Sequence, residues 1–218
     1  MKIILIHGIG NYNPGWSAAL QADQILGVTP DRILEFNYED LMENNWVNKL
    51  LVMGARVAAS YYAGPAAGIA ANVVQDYIDD ILTFFAVPGI RKKIMSRLLV
   101  FLEKFPDAII IAYSLGSIVA YETVKNYPES AKGHILITVG SPLGSPALNV
   151  MVKRFIKVPD HLRPNVTGWF NFYSKEDFIS GYINGLGCRQ PDQFRINSTH
   201  SLTTYLQHIR NTFAQKFT

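Results

Sequence analysis

The run Ala112-Tyr113-Ser114-Leu115-Gly116 follows an apolar stretch at 108–111 and leads into helical spacing at 118–126. A serine between a buried strand and a helix is placed where its hydroxyl can become a nucleophile. Free serine reacts poorly near neutral pH. A sharp strand-to-helix turn lifts the hydroxyl clear of the sheet, and a neighbouring base then takes its proton. The pattern for such a turn is G-x-S-x-G, because strand and helix pack closely on either side of the serine. Here Ala112 stands at the first glycine and Gly116 at the second, so both positions are small.

A nucleophilic serine needs a base and a group that orients the base. Ligands of an open α/β sheet bind beyond the carboxyl ends of its strands, so the polar residues just after each apolar run are the ones to read. His7-Gly8-Ile9-Gly10-Asn11 follows the first run, and Gly140-Ser141-Pro142-Leu143-Gly144 follows the run at 134–139. Ser174-Lys175-Glu176-Asp177 and Asn197-Ser198-Thr199-His200 follow the last two. One sheet edge therefore collects a serine, an acid and a histidine, in that chain order, which is the order of α/β-hydrolase triads. Among the five histidines, His134 and His161 precede strands, His208 lies inside the last helix, and His7 sits in the first loop, where it orients backbone. Only His200 follows a strand and precedes a helix. For the acid, Asp177 and Glu176 are adjacent choices and Asp192 is a third.

The elements that must carry these residues are visible as periodicity. Nearly continuous apolar runs at 2–6, 32–38, 108–112, 134–139 and 167–173, with a weaker one at 193–196, read as strands buried on both faces. Helical spacing appears at 16–26, 76–85, 90–105, 118–126 and 203–217. The alternation implies an α/β fold, a mostly parallel sheet of about six strands with helices on both faces. Residues 40–105 form a helical insertion that either caps the open strand ends or thickens one helical layer. No repeat and no linker divides residues 1–218, which read as a single domain.

Composition narrows the function further. The chain is 49% hydrophobic and only 17% charged, which describes a packed domain rather than a disordered segment. A formal charge of +3, scattered along the chain, gives no basis for a nucleic-acid partner. The apolar segment 50–74 carries Arg56 and Pro65, which argues against a membrane span. The apolar run after Met1-Lys2 is too short for a secretory signal. Cys188 is the one cysteine and can form no internal disulfide, so a reducing, cytoplasmic setting is expected. No cluster has metal-ligand spacing, and Gly8, Gly10 and Gly15 make neither a phosphate loop nor a dinucleotide fingerprint, so neither a metal nor a cofactor is expected.

The His7-Gly8 loop, the Ser114 turn, Gly140-Ser141-Pro142, Asp177 in SKEDFIS and His200 in STHSL together resemble the α/β-hydrolase-fold serine hydrolases of the compact, lipase- and esterase-like bacterial type. The resemblance covers nearly the whole chain. It implies a three-layer sandwich that starts at the strand the family numbers third. It also implies Ser114 as nucleophile, His200 as base and Asp177 as the orienting acid, and Phe178-Ile179 matches the apolar pair after that acid in the family. The backbone N–H groups of Ile9 and Leu115 would form the oxyanion hole. The implied reaction is hydrolysis of a carboxylic ester or thioester through an acyl-enzyme. The apolar insertion favours a substrate with an apolar acyl portion. An amidase or peptidase would use the same triad, and a hydrolase fold without catalysis could serve as a binding protein.

Overall fold

The coordinates are a computed structural model, which describes residues 1–8, 12–42, 81, 83–85, 87, 89–146, 148, 152, 156, 164–184, 186 and 190–217. Six strands form one sheet: β1 (Ile3–Ile6), β2 (Ile33–Phe36), β3 (Ile109–Tyr113), β4 (Ile135–Val139), β5 (Gly168–Tyr173) and β6 (Asp192–Arg195). Their order is β2-β1-β3-β4-β5-β6. Every neighbouring pair is parallel, a stricter arrangement than the mostly parallel sheet expected.

Parallel strands need helices over both faces, and the side chains divide accordingly. Ile4 and Ile6 of β1 and Ile110 of β3 enter a core with Leu98 and Val119. Their odd-numbered neighbours Ile3, Leu5 and Ile109 point the other way, into a core with Leu26, Tyr205 and Ile209. The period of two within each strand thus separates two apolar layers.

The helices supplying those layers are α1 (Trp16–Ala19), α2 (Ala22–Leu26), α3 (Glu39–Met42), α4 (Ile90–Lys104), α5 (Leu115–Asn126), α6 (Pro128–Ala131) and α7 (Leu202–Phe217). α4 and α5 lie on one face, α2 and α7 on the other. Helix α5 is buried from Leu115 through Lys125, and it carries two charges into the core. Both are paired: Glu122 meets Lys125 on its own helix and Arg91 of α4. Pairing is what makes these buried charges tolerable.

Two expectations change in detail. Residues 16–26 form two short helices, with Gln21 between them at φ 55. Glu35 holds the start of α1 by accepting from Gly15 N–H at 2.8 Å, Ser17 N–H at 2.7 Å and the Ser17 hydroxyl at 2.6 Å. α2 meanwhile turns Ala22 and Leu26 into the core. A left-handed kink at Gln21 satisfies both demands. Of the insertion expected at 40–105, α4 packs in the sheet's own helical layer, and residues 43–80 lie outside the described residues. The segment 50–74 lies there too. Among the described residues, no helix is long and apolar enough to cross a membrane.

Candidate active site

Ser114 connects β3 directly to α5, with φ 53 and ψ −125. A side chain at positive φ costs about 1–3 kcal/mol and persists only where its surroundings impose it. The impositions here are specific. Ser114 N–H donates to Val139 O at 3.0 Å, and Ser114 O accepts from Ser117 N–H at 2.9 Å. The same carbonyl accepts from the Ser117 hydroxyl at 2.6 Å. Ser117 Oγ also lies 2.6 Å from Ser141 Oγ, which accepts from Leu143 N–H at 3.2 Å. The turn is thereby tied to the loop after β4.

Close packing explains the small residues around the serine. A Cβ on Gly116 would stand 2.3 Å from His7 O, so α5 begins in contact with the end of β1. A Cβ on Gly8 would fall 2.6 Å from Ser114 Cβ and 3.3 Å from its Oγ. The first loop therefore passes right beside the serine. Ala112 is different: its methyl packs in the core with Ile6 and Leu115, so no glycine is required there.

The structure brings Ser114, His200 and Asp177 together. His200 Nε2 lies 3.2 Å from Ser114 Oγ, and His200 Nδ1 lies 2.7 Å from Asp177 Oδ2. A carboxylate only accepts, so in a neutral imidazole Nδ1 would carry the proton and Nε2 would face the serine with its lone pair. Like Ser114, His200 has a left-handed backbone, at φ 59. Of the four described non-glycine residues with positive φ, two are this pair, so both sides of the contact between hydroxyl and imidazole carry backbone strain. Tyr113 supports the arrangement by donating its hydroxyl to His200 O at 2.8 Å, with its ring 4.9 Å from the imidazole.

Burial separates the candidate acids. Asp177 is 1% exposed. Its Oδ1 accepts from Ile179 N–H at 3.0 Å, and its Oδ2 accepts from both His200 and the Tyr205 hydroxyl, the latter at 2.7 Å. Glu176 is exposed, and Asp192 opens β6 as an exposed residue, away from the carboxyl end where Ser114 lies. A buried serine cluster joins the acid loop to the histidine loop: Ser174 Oγ accepts from Glu176 N–H at 3.1 Å and from Ser198 N–H at 3.2 Å.

The other described histidines, His7, His134 and His208, have different surroundings. His7 is fully buried, stacked against Tyr38 at 4.4 Å and Tyr12 at 4.5 Å. Burial lowers its pKa to about 4, against the opposing pull of its bond to Gly8 O and the charge of Glu35. At neutral pH its 3.6 Å approach to Glu39 is therefore not an ion pair. His134 is buried and accordingly pushed down, with Nδ1 3.3 Å from Ala108 O. His208 sits within α7, while His161 and Cys188 lie outside the described residues.

Leu115 is the first residue of α5, so its N–H is among those with no intrahelical acceptor. Ile9, the other expected oxyanion donor, lies outside the described residues. Among the described residues, no three His, Cys, Asp or Glu side chains form a group able to hold a metal ion.

Sequence reasoning missed Tyr113 and Tyr205. Tyr205 had a readable signal: with Leu206 and Ile209 it lies on the buried face of α7, and a buried phenol needs a partner for its hydroxyl. The chain matches no protein-family model and no curated protein.

Proposed function

We propose that the protein is a serine hydrolase of α/β-hydrolase type that cleaves a carboxylic ester or thioester through an acyl-enzyme. The observation that carries this reading is the chain Ser114 Oγ–His200 Nε2–His200 Nδ1–Asp177 Oδ2, with links of 3.2 Å and 2.7 Å, built on a strained turn between β3 and α5. The sheet is compatible with the same reading: six parallel strands with Ser114 at the carboxyl end of β3, where ligands of an open α/β sheet bind.

The chemistry follows from the groups present. Ser114 Oγ attacks the acyl carbon as its proton passes to His200 Nε2. Asp177 stabilises the resulting imidazolium and holds it in register. The oxygen of the attacked carbonyl takes up negative charge and accepts from Leu115 N–H at the start of α5, joined in this reading by Ile9 N–H. Each such donor contributes on the order of 3 kcal/mol in the transition state. Collapse breaks the bond to the leaving group, which departs with the proton from Nε2. Water then gives a proton to Nε2 as its oxygen attacks the acyl carbon. The acid is released, and Ser114 regains its proton from Nε2.

The apolar composition of 40–105 supports an acyl portion of some length. A panel of aryl esters from acetate to palmitate, run beside a matched amide, tests the assignment. Turnover is expected on esters, with higher kcat/KM on a longer acyl chain than on acetate, and it is lost in Ser114→Ala. Turnover that survives Ser114→Ala would contradict the reading. Preference for acetate over every longer chain would remove the apolar acyl portion.

A further inference from the structure

We propose that Tyr205 is a positioning residue that locks the Asp177 carboxylate in the orientation His200 requires, an inference that rests on the serine-hydrolase reading of the site.

Asp177 is buried in the loop after β5, so its χ2 rotation is set by the donors around it. One oxygen is held locally, by Ile179 N–H at 3.0 Å. The other faces His200 Nδ1 at 2.7 Å and the Tyr205 hydroxyl, also at 2.7 Å. Both donors use the same oxygen, so Tyr205 pins the atom that orients the imidazole. Tyr205 comes from α7 and is 0% exposed, with its ring in the core beside Leu206 and Ile209. A phenol on a packed helix has little freedom to move, and it therefore supplies a fixed reference for a loop carboxylate.

The direction of the bond is settled by chemistry. Tyr205 has one proton and the carboxylate can only accept, so the proton goes to Asp177. Ser180 Oγ, 3.2 Å from the phenol oxygen, is left to donate to it or to Ser174 O at 3.3 Å. Burial and the Asp177 charge both push the phenol up, which keeps it a donor throughout the working range. Sharing the carboxylate among three donors satisfies it where it is buried. It also stops the carboxylate from turning away when His200 gains and loses its proton.

Tyr205→Phe keeps the ring and removes only the hydroxyl. On an aryl ester, kcat is expected to fall about tenfold with KM unchanged, the size of one charge-assisted hydrogen bond. In an Asp177→Asn background the same substitution should change kcat less than about twofold, because the coupling passes through the carboxylate. Equal losses in both backgrounds would mean that the Tyr205 hydroxyl acts independently of the Asp177 carboxylate, and would overturn the proposal. A second readout does not need turnover. The low-field proton resonance of His200 Nδ1–H should broaden and exchange faster with water in Tyr205→Phe. An unchanged resonance would sink the proposal even if the wild-type protein hydrolysed nothing. Absence of wild-type turnover would count instead against the serine-hydrolase reading.

Discussion

Two histidines mark the two flanks of the Ser114 turn, and their surroundings differ in one decisive respect. His7 follows β1 and is fully buried between Tyr12 and Tyr38, with Nδ1 2.8 Å from Gly8 O. His200 follows β6, and its side chain keeps 10% exposure, with Nδ1 on Asp177 and Nε2 on Ser114. Burial against aromatic faces disfavours the charged imidazole, so His7 stays neutral and acts as a packing piece. A buried carboxylate on one nitrogen and a hydroxyl on the other equip His200 to take and return a proton. The two imidazoles both lie near the serine loop, and what separates them is the partner on the far nitrogen, a backbone carbonyl for His7 and the Asp177 carboxylate for His200.

The sharpest separation is kinetic. His200→Gln should lower kcat by about 10⁴-fold, and His7→Gln by less than about tenfold. Steady-state assays on one aryl ester measure both, and comparable losses would erase the distinction between the two imidazoles.

A second difference lies in the pH dependence of stability. The His7 pKa is about 4 in the folded protein, below its unfolded value. Between about pH 4 and 6.5 the unfolded chain binds the extra proton, so the stabilisation is complete above that window and is lost as pH falls through it. The loss attributable to His7 amounts to about 3 kcal/mol. Urea denaturation of the wild-type protein and of His7→Gln, from pH 4 to 7, should show a steeper fall in the wild type. Parallel curves would mean that His7 is not held neutral by burial.

The smallest expected effect concerns the tyrosines that anchor each histidine's carbonyl. Tyr38 donates to His7 O at 3.0 Å, and Tyr113 donates to His200 O at 2.8 Å. Removal of either hydroxyl by substitution with Phe should cost about 1 kcal/mol of stability. Only Tyr113→Phe should also reduce kcat, by a few-fold, because only that carbonyl belongs to the backbone of His200, the proposed base. Equal kcat in the two variants would show that the His200 backbone needs no such anchor.

The positions of these groups were partly readable in the sequence for a physical reason. Parallel strands buried on both faces read as apolar runs, so the polar residues that end them stand out, and Ser114, Asp177 and His200 are such residues. The choice between Glu176 and Asp177 was not readable from strand spacing alone. It depends on which of two adjacent side chains the loop turns inward, and Asp177 is the one turned inward. Tyr205 escaped notice because helical periodicity identifies a buried face without naming what its polar tip will touch. Its partner is in a loop beyond β5, a pairing made only by tertiary structure. The kink at Gln21 was hidden likewise, since the start of the helix before it is held by Glu35 of β2, a contact made only in the folded chain.

Mass spectrometry after exposure to a fluorophosphonate probe asks most directly whether Ser114 is an activated nucleophile. The wild-type protein should gain one adduct, mapped to Ser114, with labelling absent in Ser114→Ala and strongly slowed in His200→Gln but not in His7→Gln. A folded wild-type protein that takes up no probe, or takes it up at another residue, would contradict the assignment of Ser114, His200 and Asp177 as a working triad.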